Sequence, residues 1–156
     1  MPLKNVTTVS GGAIGLGATE VFGIHIMIDG YQADPALLDD EVHFTSVLST
    51  LPEKLGMHKI TEPLVVKVGP NNKKDPGGIS GFVMIAESHI SFHSFPNREF
   101  ISIDVYTCQT DIDVDDVVRQ IVADFAISDS DVTVVERGKR YPSADVQVRG
   151  SLQVKA

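Results

Sequence analysis

The sequence predicts an α+β fold: a two-layer α/β sandwich whose antiparallel sheet carries its helices on one face. Three observations point there. Strand-like runs recur along the chain, at 20–30, 64–69, 81–86, 88–94, 100–108 and 130–137. Only two stretches have helical spacing, one after Asp34-Pro35 and one after Asp113. In order these read β-α-β-β-β-β-α-β, a run of strands flanked by helices rather than strict alternation.

Each element has its own signal. Residues 1–19 read as a flexible lead-in: GGAIGLG does not fit G-x-G-x-x-G, and no clear strand precedes it. A single upstream lysine and the following Glu20 argue against a signal peptide. EVFGIHIMIDG is β-rich and partly alternating, a good first strand. Asp34 as N-cap with Pro35 in the first turn starts a helix. Its stripe is Leu37, Leu38, Val42, Val47, Leu48 and Leu51, running to Pro52 or beyond, with Gly56 ending it. LVVKVG is a second strand, and PNNKKDPGG an exposed loop. That basic loop could receive a carboxylate or phosphate, or simply connect a hairpin. GFVMIA, nearly all apolar, suits a central strand buried on both faces. A strand over Ser88–Ser94 turns at Phe95-Pro96-Asn97. In Phe100–Cys108, Ile101, Ile103 and Val105 share one face, and Ser102, Asp104, Tyr106 and Cys108 the other. Asp113, or Asp111 before it, caps a helix bearing Val114, Val117, Val118, Ile121, Val122 and Phe125. Ser130–Arg137 is a strand, and 142–156 an edge strand or tail.

A chain of 156 residues fits one domain with a sizeable core. Its 42% hydrophobic and 22% charged content is ordinary for a globular protein. A net charge of −8 argues against a nucleic-acid surface, which needs clustered Lys and Arg. The lone cysteine, Cys108, excludes an internal disulfide and a C-x-x-C zinc pair. His89 and His93 lie four apart, but on an expected strand, and H-E-x-x-H is missing, so no metal is expected. No apolar run approaches the roughly 20 residues that span a bilayer. The cytoplasm is the expected location.

The chemistry concentrates in ESHISFHSFPNREFISIDVYTC, 87–108. Its Ser, His and Cys could serve as nucleophile, acid–base group and proton donor. The same residues could equally be the wet face of a strand. Cys108 reads either as a reactive thiol among polar neighbours or as a small buried hydrophobe. Ser88 and His93 are five apart, so a regular strand points them to opposite sides. A bulge, a twist or a break must then bring them together.

Four spacings carry a resemblance: the ESH at Glu87-Ser88, a histidine five residues on, a cysteine twenty on, and Ser80 eight before in GGISGF. The flanking SIDVYTC agrees, as do the LLDD helix start and VTVVERGKRY. The segment resembles the self-processing region of the bacterial and archaeal S-adenosylmethionine decarboxylases, which are pyruvoyl enzymes. The resemblance implies the fold given above and a self-cleaved Glu87–Ser88 bond, leaving chains 1–87 (β) and 88–156 (α). Ser88 would attack the Glu87 carbonyl and end as the pyruvoyl group, whose ketone forms a Schiff base with the substrate amine. It is the electron sink that pyridoxal phosphate provides elsewhere, with neither pyridoxal phosphate nor metal required. His93 is implied as the processing proton acceptor, Ser80 as its helper and Cys108 as the proton donor in turnover.

The implied reaction converts S-adenosylmethionine to its decarboxylated form plus CO2, for spermidine and polyamine biosynthesis. One departure stands out. The family's WPE glutamate holds ribose hydroxyls, and here the text is FPN, so Asn97 replaces it and Phe95 replaces the tryptophan. Asn97 can hydrogen-bond a hydroxyl but without charge, which weakens each contact; Glu99, two residues on, is a candidate substitute. Arginine and ornithine decarboxylases derived from this family are therefore the alternative. Net negative charge favours any of these cationic substrates. A non-catalytic regulatory homologue is a second alternative, although Ser88, His93 and Cys108 all remain. His25 takes the place of a family histidine, and reads as functional or as a satisfied strand residue. A homodimer of processed αβ pairs is the expected assembly, with no nucleic-acid or membrane partner.

Overall fold

A computed structural model describes residues 6–9 and 21–141. Its strands are β1 (Val6–Val9), β2 (Gly23–Tyr31), β3 (Leu64–Val68), β4 (Gly78–Ile85), β5 (Ser88–Phe95), β6 (Phe100–Thr107) and β7 (Asp129–Arg137). Its helices are α1 (Pro35–Leu38), α2 (Glu41–Lys54) and α3 (Val114–Asp124), with a 3-10 turn at Pro96–Arg98. The seven strands form one sheet in the order β1-β7-β2-β6-β5-β4-β3. The expected α+β sandwich is present, with one correction: the sheet is mixed. β1 runs parallel to β7, in register from Val6↔Val132 to Val9↔Val135, where the sequence predicts a loose lead-in. Val-Thr-Thr-Val is a β-branched run that suits a strand, however short. The predicted edge strand or tail at 142–156 lies outside the described residues.

Period-two alternation sends one set of side chains to a single core. Ile26 and Ile28, Ile79, Val83 and Ile85, Ile90 and Phe92, Ile101, Ile103 and Val105, and Val132 are all buried. Phe44, Leu48 and Leu51 of α2 and Val117, Val118 and Ile121 of α3 close over them. Phe44, Phe92 and Phe125 meet at the centre, with ring centroids 5.1 to 6.2 Å apart. Asp113 caps α3 by accepting from Asp116 N, and Asp115 and Asp116 complement the dipole in its first turn.

Among the described residues, every helix lies on that side. The other face of the sheet is open, and this corrects the expectation for β4. Phe82 is 39% and Met84 44% exposed, so the strand is buried on one face only. Its run reads as doubly buried because its outward positions happen to be apolar. The first predicted helix is also two. Asp40 takes an extended conformation and accepts from Val42 N and His43 N, so it caps a second start and leaves Val42 exposed. No helix among the described residues is long and apolar enough to cross a membrane.

One buried hydroxyl ties these layers. Ser94 Oγ donates to Leu38 O at 2.7 Å, at the end of α1, and accepts from Ile79 N at 3.0 Å. The backbones run so close here that a Cβ on Gly78 would collide with the Ser94 carbonyl. Ser94→Ala leaves two buried groups without this partner, at a cost of about 2 kcal/mol. Circular-dichroism melting should place its Tm roughly 4–8 °C below wild type. An unchanged Tm would mean that the hydroxyl is dispensable.

Candidate active site

The β4–β5 hairpin pairs Ile85 with Ser88, so Ala86 and Glu87 alone make the turn. Two-residue turns match the twist of their strands when the central residues take positive φ, which favours Asn and Gly. Ala86 and Glu87 do not take it; Ser88 does, at φ 152°. A residue with a Cβ held there costs of order 1–3 kcal/mol. The strain therefore sits on the residue after the Glu87–Ser88 bond. It also breaks the alternation of the strand. Ser88 Oγ lies 3.1 Å from His89 Nδ1, although successive side chains of a regular strand diverge.

Glu87 is fixed at both its carbonyl and its side chain. The carbonyl accepts from Cys108 N at 3.0 Å. The carboxylate lies 2.6 Å from His58 Nδ1 and accepts from His58 N at 3.0 Å. Burial pushes the Glu87 carboxyl up, but the hydrogen bonds from the His58 ring and amide outweigh it and hold the group below 4.5. Cys108 follows β6 directly and is exposed, with a free thiol. It is therefore not the small buried hydrophobe of the second reading.

Ser80 and His93 face each other across β4 and β5, with Ser80 Oγ 2.7 Å from His93 Nδ1. The His93 ring stands edge-on to Phe95, centroids 4.4 Å apart. Leu64, Val66, Phe82, Ser102 and Asp104 continue this patch into a shallow groove of ≈ 310 Å³. Asn97 lies in the 3-10 turn beyond and Glu99 just after it, both exposed.

The expectation that a local break would join Ser88 to His93 fails within one chain. The break is present, but His93 lies five residues further along β5. At about 3.3 Å per residue Ser88 and His93 stand roughly 17 Å apart. The site thus has two halves at opposite ends of one hairpin: Glu87, Ser88, His89 and Cys108 at the turn, and Ser80, His93 and Phe95 at the mouth.

Between them lies a charged strip of the open face. His25 Nε2 pairs with Asp104 Oδ1 at 2.8 Å, which makes His25 a satisfied strand histidine. His89 stacks on Phe82 and meets Tyr106 edge-on, at 5.4 and 5.8 Å. Burial, then the charges of His25 and Arg137, push the His89 imidazole below its ordinary 6.5, against an upward pull from Asp104. Burial, Asp131 and Asp104 push the Asp29 carboxyl up. Among the described residues, no group of three His, Cys, Asp or Glu could hold a metal ion. Sequence reasoning missed His58 and the closeness of His89 to Ser88. His58 and Glu87 are 29 residues apart, beyond the reach of any spacing rule. The Ser88–His89 contact depends on a backbone distortion that no residue type announces.

A family model described as S-adenosylmethionine decarboxylase matches residues 24–138. Relatives named S-adenosylmethionine decarboxylase proenzyme include one from Pyrobaculum islandicum, 39% identical over 94 residues, or 60% of this chain and 70% of that one. Another, from Thermococcus gammatolerans, is 29% identical over 119 residues, 76% of this chain and 78% of its own. A Bacillus cereus protein named S-adenosylmethionine decarboxylase proenzyme 2 is 34% identical over 107 residues, 69% and 77% respectively. The crystal structure of the adenosylmethionine decarboxylase from Aquifex aeolicus matches with a TM-score of 0.61 and 27% identity, over 76% of this chain and 92% of that one.

The lowered His89 imidazole is measurable. Histidine ring resonances followed by NMR should show His89 titrating below 6.5. Removing the Arg137 charge by Arg137→Met should move that midpoint up, and Asp104→Asn should move it down. Because the fold resists protonating His89, its effect on stability is nil above 6.5 and unfavourable as pH falls from there toward the lowered value. A midpoint at or above 6.5 would contradict the environment described.

Proposed function

The chain belongs to the S-adenosylmethionine decarboxylase family, and we propose that it makes its own catalytic group by cutting the Glu87–Ser88 bond before it decarboxylates S-adenosylmethionine. One observation carries this reading above the others: a strained Ser88 follows a carbonyl already held by the Cys108 N–H.

The steps follow from what lies within reach. His89, kept neutral by its surroundings, takes the Ser88 hydroxyl proton. Ser88 Oγ attacks the Glu87 carbonyl carbon, and the Cys108 N–H, already on that oxygen, meets the developing negative charge. The C–N bond breaks, its nitrogen gains a proton, and the peptide has become an ester. Strain at Ser88 favours this step, since the rearranged bond no longer fixes that φ. A base then removes the Cα proton of residue 88; the electron pair forms Cα=Cβ, and the Cβ–O bond breaks to free Glu87 as a carboxylate. Water replaces the nitrogen, releasing ammonia and leaving a ketone.

His93 suits the role of that base. With Nδ1–H given to the Ser80 oxygen, Nε2 keeps its lone pair. It cannot reach Ser88 of its own chain. A second copy can supply it. The open face leaves Leu64, Val66, Phe82 and Met84 exposed. Two such faces packed together, strands reversed, lay the Ser80–His93 end of one hairpin over the Ser88–Cys108 end of the other. The assembly proposed is thus a homodimer of processed pairs.

Residue 88 fits a pyruvoyl group: it is half-buried and pinned between Ile85 and Thr107, beside the exposed Cys108. Such a group supplies a ketone that takes up the substrate amine and accepts the electrons released as the carboxylate departs. The Cys108 thiol returns a proton to the substrate carbon. Asp29 and Asp104 on the open face favour a cationic substrate. Phe95, Asn97 and Glu99 border the mouth of the hairpin, where a nucleoside would rest against the partner's cut end. Asn97 offers hydroxyls an uncharged contact, so the ribose is held more by shape than by charge.

Four outcomes are expected. Intact mass should show chains 1–87 and 88–156, the second without an amino terminus, whereas Ser88→Ala stays whole. Cys108→Ala keeps the backbone N–H and should still be cut, but with turnover down about 100-fold or more. If both variants behaved alike, the separation of roles would be wrong. His93→Ala alone should not be cut, yet co-expression with Ser88→Ala chains should restore its cleavage, because the partner brings an intact His93. A monomer that cuts itself would end the two-copy reading. Carbon dioxide release should be faster from S-adenosylmethionine than from arginine or ornithine; the reverse order would reassign the substrate.

A further inference from the structure

We propose that His58 is a positioning residue for self-cleavage: it clamps Glu87 so that the strain at Ser88 cannot relax into the turn. The inference rests on the self-cleavage proposed above. A glutamate in a tight hairpin turn ordinarily projects into water. Here the Glu87 side chain is 11% exposed, while the histidine that grips it is 79% exposed. His58 is therefore not a core residue that happens to touch a carboxylate; among the described residues, its ring contact with Glu87 is its one hydrogen bond from the side chain.

The clamp is built into a splint. Residues 58–61 run along the outer side of β4 beyond the last β3 pairing, Leu64↔Phe82. Ile60 N donates to Met84 O at 3.0 Å, Met84 N to Thr61 Oγ1 at 3.2 Å, and Lys59 bridges to Ile85. At the end of this splint, His58 O accepts from Ala86 N at 2.8 Å. Its amide and ring then hold both carboxylate oxygens of Glu87. The carbonyl of the same residue is held from the other side by Cys108 N. Rotating Glu87 to give Ser88 an ordinary φ would break one of these contacts. Without the ring, one carboxylate oxygen is released and the turn gains that freedom.

The test follows precursor made by cell-free synthesis, with cleavage at 87/88 timed by mass spectrometry. His58→Ala should cut about tenfold more slowly, the loss expected for one hydrogen bond to a charged group. His58→Asn, whose side-chain nitrogen can occupy the place of Nδ1, should recover to within about threefold of wild type. In a Ser88→Ala background, which stays whole, both substitutions should keep Tm within about 5 °C of the parent, so the precursor is still folded where the cut is timed. Cleavage of His58→Ala at the wild-type rate, or no recovery in His58→Asn, overturns the clamp and leaves self-cleavage standing. A wild-type chain that is never cut overturns both.

Discussion

A tight turn built without glycine or asparagine governs the rest of the molecule. The register of β4 and β5 allows two residues between Ile85 and Ser88, and the sequence fills them with Ala and Glu. A hairpin of this kind wants positive φ inside the turn, and it is met one residue later instead. The sheet does not yield, because β5 is bonded on both sides, to β4 and to β6. Packing of Ile90 and Phe92 beneath the helices fixes the strand further. The cost of order 1–3 kcal/mol is thus borne by a stable core and concentrated on one residue.

The open face explains why the candidate residues look scattered in a single chain. Alternation sends Ser80, His93, Ser102 and Asp104 to the side that the helices leave bare. A sheet with one face packed and one uncovered is an unfinished sandwich, and its exposed Phe82 and Met84 are the kind of surface a second sheet covers. Separation of Ser88 from His93 is then no defect of the arrangement. In the homodimer proposed above, two reversed copies would let each end find its complement.

Much of this could be read directly from the residues. Alternation in Phe100–Cys108 assigned each side chain to the face on which it is found, and the Asp113 cap and its apolar stripe marked α3. The spacings of Ser80, Ser88, His93 and Cys108 pointed to the hairpin and its neighbour. What escaped has physical causes. Val6–Val9 is too short to stand out, and its partner β7 is more than 100 residues away. Two adjacent aspartates, Asp39 and Asp40, follow a helical turn, and nothing local says that the second restarts the helix. In β4 the apolar run hid which side was covered, since Phe82 and Met84 are as hydrophobic as the core. The His58 grip on Glu87 is a tertiary contact made by the splint, written nowhere in local sequence.

Strand order has one more consequence. Cutting after residue 87 would put β1 to β4 on one fragment and β5 to β7 on the other. In the sheet those fragments interlace like the teeth of two combs: β7 slots between β1 and β2, and β6 lies between β2 and β5. Every strand of the smaller piece is hydrogen-bonded to at least one strand of the larger. The severed halves could not drift apart without unravelling the whole ladder, so a break at the turn would leave a union held by backbone hydrogen bonds and by the shared core, where Phe44 of one piece meets Phe92 and Phe125 of the other.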